Sequence, residues 1–156
     1  MILLKLGSIK GDSSVADHTD WITCDSLQFG VGRSVSMSGG GKSRDTSNPS
    51  FSEITISKST DMASADLFFQ AMGGKALGKS EIHFIQTSEN KSQVYLKLDL
   101  VDTIVSSYSA SSGGDRPSES ISLNFVKISY QYDDFTGDKV VSGDKKSWDL
   151  MVNASF

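Results

Sequence analysis

The alternation of Val94, Leu96, Leu98 and Leu100 with Gln93, Tyr95, Lys97 and Asp99 constrains this chain more than any other feature. A period of two places the four apolar residues on one face of a strand and the mostly polar residues on the other. Ile121, Leu123 and Phe125 repeat the pattern against Ser120, Ser122 and Asn124. The apolar set then changes parity to Val126, Ile128 and Tyr130, as a β-bulge or a barrel bend within one long strand requires. Shorter strands are expected at Ile2–Leu6, Trp21–Phe29, Glu53–Lys58, Glu81–Thr87 and Ser147–Val152.

One helix is expected at about residues 64–72. Ser64 is positioned to cap its first turn, Asp66 to complement the N-terminal dipole and Gly73 to supply the left-handed stop. Leu67, Phe68, Ala71 and Met72 would share the face that docks on a sheet. The fold class is therefore mainly β, a closed barrel or a sandwich with one short flanking helix. Residues 34–50 have almost no side chain able to anchor a core, and are expected to form an extended, structureless loop. Residues 109–118, S-A-S-S-G-G-D-R-P-S, would join two long strands. One domain over residues 1–156 is expected.

Composition narrows the function classes. The 29 serines and 14 glycines raise polarity, yet regularly recurring Leu, Ile, Val and Phe argue against disorder. A net charge of −4 without clustered Lys and Arg argues against nucleic acid as a partner. The lone Cys24 excludes an internal disulfide framework, and no apolar run reaches the roughly 18–20 residues of a membrane helix. The opening Met1-Ile2-Leu3-Leu4-Lys5-Leu6-Gly7 is too short and too soon interrupted for a secretory signal, so any export is expected to bypass that route.

No chemical motif survives inspection of its spacing. Gly39-Gly40-Gly41-Lys42-Ser43 ends like a phosphate loop, but the required first glycine position is Ser36 and no strand–loop–helix context surrounds it. Cys24, His18 and His83 are the only soft ligand candidates, and no local spacing gathers them. Asp12, Asp17, Asp20 and Asp25 miss the calcium-loop pattern and read as a solvated turn; Asp133 to Asp138 reads as a hairpin turn. There is no G-x-S-x-G elbow. No catalytic residue, cofactor or metal is expected, and the chain reads as a non-enzyme.

Several blocks together resemble the Hcp family, the hemolysin-coregulated tube proteins of bacterial type VI secretion. They are Lys10-Gly11-Asp12-Ser13 with Asp17-His18-x-x-Trp21-Ile22, and Ser26-x-x-Phe29-Gly30-x-Gly32. The most specific runs Val105-Ser106-Ser107-Tyr108, then Ser112-Gly113-Gly114-Asp115-Arg116-Pro117-x-Glu119, into Ser122-Leu123-Asn124-Phe125-x-Lys127-Ile128 and Tyr130. A Gly143-Asp144-x-x-x-Trp148 block near the end closes the set. Asp12 departs mildly from the K-G-E-S usual in the family. The resemblance implies a β-barrel of two packed antiparallel sheets with one flanking helix. It implies homo-hexameric rings that stack into a tube, carry effector proteins in the lumen, and meet a contractile sheath and spike proteins. It implies synthesis in the bacterial cytoplasm and release outside the cell. Ending soon after Trp148, the chain resembles the plain form without an appended effector domain.

Two groups of candidate contact residues follow. Leu27 and Phe29 share a face, so Gln28 points the other way, and the implied ring would place it on the lumen. The family's extended loop lies at an assembly contact; Met37 would supply apolar contact there, and Lys42, Arg44 and Asp45 complementary charge. Two alternatives stand beside this reading: a tail-tube subunit of another phage-like contractile particle, and a secreted carbohydrate-binding β-sandwich using Trp21 or Trp148 as a platform.

Overall fold

The computed structural model describes residues 1–37, 44–88, 91–136 and 139–156. In chain order the strands are β1 (Ile2–Leu6), β2 (Ile22–Cys24), β3 (Ser26–Gln28), β4 (Val31–Gly32), β5 (Val35–Met37), β6 (Arg44–Thr46), β7 (Ser50–Phe51) and β8 (Ile54–Ser59). Helix α1 (Ser64–Gly73) follows. The chain continues as β9 (Ser80–Ser88), β10 (Lys91–Val101), β11 (Ile104–Ser111), β12 (Ser118–Asn124), β13 (Lys127–Thr136), β14 (Lys139–Ser142), β15 (Lys146–Asp149) and β16 (Ala154–Ser155).

Two antiparallel sheets carry the fold. The larger runs β16-β15-β13-β10-β9-β1-β2, with β14 paired to β13; the smaller runs β11-β12-β8-β3. Among the described residues, strand pairing is not continuous around the barrel. Leu4, Leu6, Ile22, Ile82, Leu98 and Leu100 from the larger sheet meet Ile54, Ile56, Val105, Ile121 and Leu123 from the smaller in one buried core. A second, smaller core of Leu3, Trp21 and Ile85, with Val15 and Val94 packed against it, lies on the outer face of the larger sheet.

The parity change after Phe125 marks a corner. β12 belongs to the smaller sheet and β13 to the larger, so the expected single strand crosses between sheets at residues 125–126. The same crossing splits the expected Trp21–Phe29 strand at Asp25. Ile22 and Cys24 fill the core before it, Leu27 and Phe29 pack against it after, and the Asp25 N–H is held by Ser57 O at 2.8 Å. A bend turns each strand's inward face toward a different sheet, which is why parity must slip there.

The helix lies where expected, with different caps. Ser64 does not cap the first turn: the N-cap is Ala63, with no side-chain cap bond. Asp61 Oδ1 accepts the Ala63 N–H at 2.9 Å, and Ser64 Oγ accepts that of Asp61 at 2.9 Å. The left-handed stop is Gly74 (φ +61), one residue beyond Gly73, its N–H returning to Gln70 O. Only half of the expected docking face is buried. Leu67 and Ala71 pack on the core, whereas Phe68, Phe69 and Met72 are more than half exposed.

The described parts of segment 34–50, residues 34–37 and 44–50, are not structureless. β5 and β6 form a two-stranded ribbon with Val35 opposite Thr46, Ser36 opposite Asp45 and Met37 opposite Arg44. The Ser34 N–H donates to Ser47 Oγ, and Ser47 N–H to Ser34 O. Below, β4 pairs β7, and Gly30 and Ser52 close the root. Backbone pairing organises this arm without any core. Asp133 and Asp134 are likewise strand residues of β13, paired with Ser142 and Val141 of β14, rather than turn residues.

Candidate functional site

The smaller sheet points Leu27, Ile56, Ile121 and Tyr108 toward the core, so the alternate residues project from its outer face. Register assembles those residues into two rows. Ser26, Ser57, Ser120 and Ser109 form one; Gln28, Thr55, Ser122 and Ser107 form the next. Ser26 and Ser57 share a hydroxyl hydrogen bond at 2.5 Å, and Ser107 donates to Ser122 at 3.2 Å. Neither row holds a charged residue. Glu53 stands at the margin, accepting from Ser106 and Asn124.

Across the barrel the larger sheet is chemically opposite. Its outer rows place Lys5, Glu81 and Asp99 side by side, and Leu3, His83 and Lys97 beside them. Lys79 pairs with Glu81, Lys145 with Asp99, and Lys97 with Asp133. Asp133 is buried; that alone would raise its pKa, but Lys97, Gln131 and the Gly143 N–H outweigh it and hold the carboxyl below the usual range. One face is therefore a neutral hydroxyl lattice and the other an ion-paired surface.

Of the residues singled out in sequence, Gln28 is exposed on the hydroxyl face. Met37, Arg44 and Asp45 lie on the arm, all exposed, Met37 to 79%. The ribbon separates them: Met37 and Arg44 are cross-strand neighbours on one side, and Asp45 projects to the other. Lys42 lies outside the described residues. Beside the arm's root Phe29, Val31, Phe51, Ile128, Tyr130 and Trp148 line an open apolar groove of about 250 Å³.

The fold joins residues that spacing kept apart. His18 and His83 meet at 2.8 Å, while Cys24 sits in the main core, where burial pushes its thiol up to about 12. Among the described residues no three His, Cys, Asp or Glu side chains could hold a metal ion. Trp21 is 8% exposed and packs edge-on against His18 and tilted against His83, which removes it as a sugar platform. No helix is long and apolar enough to cross a membrane among the described residues.

At the helix end of the barrel, sequence reasoning missed a buried ion cluster. Lys58, with no exposed surface, lies 2.8 Å from Glu119 and 2.7 Å from Asp61, and donates to Ser64 Oγ. The Tyr108 hydroxyl donates to the other Glu119 oxygen at 2.8 Å. Burial and the adjacent carboxylate push Tyr108 up to about 12. The signal was present in the alternation: Lys58 is in phase with Ile54 and Ile56, and Glu119 with Ile121 and Leu123.

The family model described as "Type VI secretion system effector, Hcp" matches residues 3–132. No curated protein matches the chain by sequence. A structure described as that of a type six secretion system protein superposes with a TM-score of 0.91 at 24% identity, covering 99% of this chain and 98% of that one. Hcp1 from Salmonella typhimurium superposes at 0.79 with 23% identity, over 99% and 97%. A type VI secretion system effector from Yersinia pestis gives 0.74 with 20% identity, over 96% and 99%. The match runs from β1 into β13 and takes in the smaller sheet and helix α1. The chain belongs to the Hcp family, the tube-subunit family of the type VI secretion system.

Proposed function

We propose that this subunit closes into rings of six, which stack into the expelled tube with the hydroxyl face lining the lumen. The observation that carries this reading is the paired rows of Ser, Thr and Gln in register across all four strands of the smaller sheet. Such a lining bonds to water and to any polar cargo surface without a net field, so effectors of either charge pass or lodge. Gln28 ends one row and contacts cargo. The ion-paired outer face of the larger sheet then turns away from the lumen, toward the surrounding sheath, while spike proteins cap the tube. Export follows the tube itself and needs no signal peptide.

The arm supports stacking. A two-stranded ribbon on its own is marginal in water, and Val35 and Met37 are exposed without intramolecular cover. A neighbouring subunit or ring completes it, with Met37 giving apolar contact and Arg44, Asp45 and Lys42 charge.

Placement of the hydroxyl face is tested by Ser120→Cys labelled with maleimide nanogold, since the native Cys24 is buried and does not compete. Electron micrographs of the rings should show gold at the centre. Gold on the rim would overturn the assignment.

A further inference from the structure

Segment 11–21 crosses the outer face of β1 and β9 as a compact loop with few anchors. Its own backbone bonds run from Gly11 N–H to Asp20 O, Ser13 N–H to Trp21 O, and Asp20 N–H to Ser13 O. Gly11 is required by this closeness: a Cβ there would fall 2.3 Å from Trp21 O. Asp17 and Asp20 both occupy left-handed backbone (φ 64 and 65), a conformation that disfavours side-chain-bearing residues. Side chains that reach the sheet are Val15, His18 and Trp21, which meet Leu3, His83 and Ile85.

The contact between the two imidazoles fixes their protons. His18 Nδ1 lies 3.2 Å from Ala16 O, which can only accept, so that nitrogen carries a proton. His18 Nε2 faces His83 Nδ1 at 2.8 Å, a gap with room for one proton. With one bridging proton the pair holds together whether neutral or singly charged. Four protons on the two rings would set two N–H groups head to head, and the rings must then part.

We propose that His18 and His83 form an acid-sensitive latch that pins segment 11–21 to the outer face of the larger sheet. Opening withdraws Trp21 and uncovers Leu3 and Ile85, giving the subunit an apolar outer patch in acid that it lacks at neutrality. This inference stands apart from the ring and lumen reading and does not depend on it.

The charges around the pair set where it opens. Burial chiefly, and then the charge on His18, lower His83 from 6.5 to about 4. Lys97 on β10 acts in the same direction, while Glu81 on β9 and Asp99 on β10 oppose it. On β1, Lys5 stands over the Trp21 ring, and on the loop Asp20 is engaged by Lys10 while Asp17 neighbours His18 in sequence. Because the closed state holds His83 neutral, the latch is fully effective above about 6.5 and weakens as pH falls toward 4.

Hydrogen exchange of the assembled protein, resolved by peptide and corrected for intrinsic rates, tests this. Protection across 11–21 should fall up to about tenfold per pH unit between 6.5 and 4, while β10 and β13 keep theirs. His83→Gln keeps a donor for His18 but cannot charge, and should abolish the acid response. Equal acid acceleration in His83→Gln, or none in the wild type, would overturn the latch. Imidazole nitrogen NMR of the wild type provides a reading independent of the variant's folding. A bridging proton between the rings with His83 still neutral at pH 6 supports the latch; two independent titrations near 6.5 overturn it.

Discussion

Lys58 has no exposed surface, and its ammonium lies 2.8 Å from the Glu119 carboxylate beneath the first turn of α1. Ion pairs buried this completely contribute little net stability, since desolvation offsets attraction, yet losing one partner leaves an unpaired charge in the interior. With Asp61, Ser64 and Tyr108 on the same cluster, the pair fixes where the helix sits on β8, β11 and β12.

Lys58→Met should therefore destabilise the subunit by about 3–5 kcal/mol in chemical denaturation. Lys58→Met combined with Glu119→Met should recover at least half of that loss, because no orphan charge remains. A double variant as unstable as the single would show that packing, not charge, is at issue.

Acid should weaken the same cluster. Burial alone would raise the Glu119 carboxyl, but Lys58, Ser64 and Tyr108 outweigh it and hold the group below its ordinary 4.5. A depressed carboxylate contributes stability that is present above the unfolded value and lost as pH falls through the folded one. Denaturation midpoints measured downward from pH 5 should fall in the wild type, and fall less in the double variant.

The helix offers a contrast within four residues. Leu67→Ala should cost about 2–5 kcal/mol, since Leu67 is fully buried in the core. Phe69→Ser, at a position 64% exposed, should change monomer stability by no more than about 0.5 kcal/mol. Equal effects at the two sites would mean that α1 is rotated from the orientation described.

Much of this architecture was legible in alternation alone, because a strand with one buried face must repeat every two residues. The main strands and the parity slip after Phe125 read correctly from it, but Val94 does not share a face with Leu98 and Leu100: the register shifts between Val94 and Leu96, and Val94 packs beside Leu3 and Ile85 on the outer face. The matching slip between Cys24 and Leu27 carried the same information but was read as an unbroken strand. The arm was illegible for a physical reason: backbone pairing holds it, and Ser36 or Asp45 leaves no hydrophobic trace of that. Phe68 and Met72 misled because amphipathicity reports apolar side chains, not whether this chain covers them. His18 and His83, 65 residues apart, meet only once β9 is laid beside β1.

Charge on the hydroxyl face should disturb cargo without disturbing the fold. Gln28→Arg leaves Leu27 and Phe29 in the core, so thermal unfolding and ring mass should stay as in the wild type while effector co-purification falls. Loss of folding would show that this position is not free to face a lumen.

On the arm, Val35→Ser with Met37→Ser should leave monomer unfolding within about 0.5 kcal/mol, because both side chains are already exposed. Sedimentation should nonetheless show weaker association of rings. Undiminished association would reduce the arm to a solvated ribbon.

Native mass spectrometry of the wild-type chain at micromolar concentration tests the tube-subunit account most directly. A dominant species of about six chains is the predicted result, since a heterologous interface whose rotation closes gives a ring of fixed size. A monomer that persists across salt concentrations would contradict it.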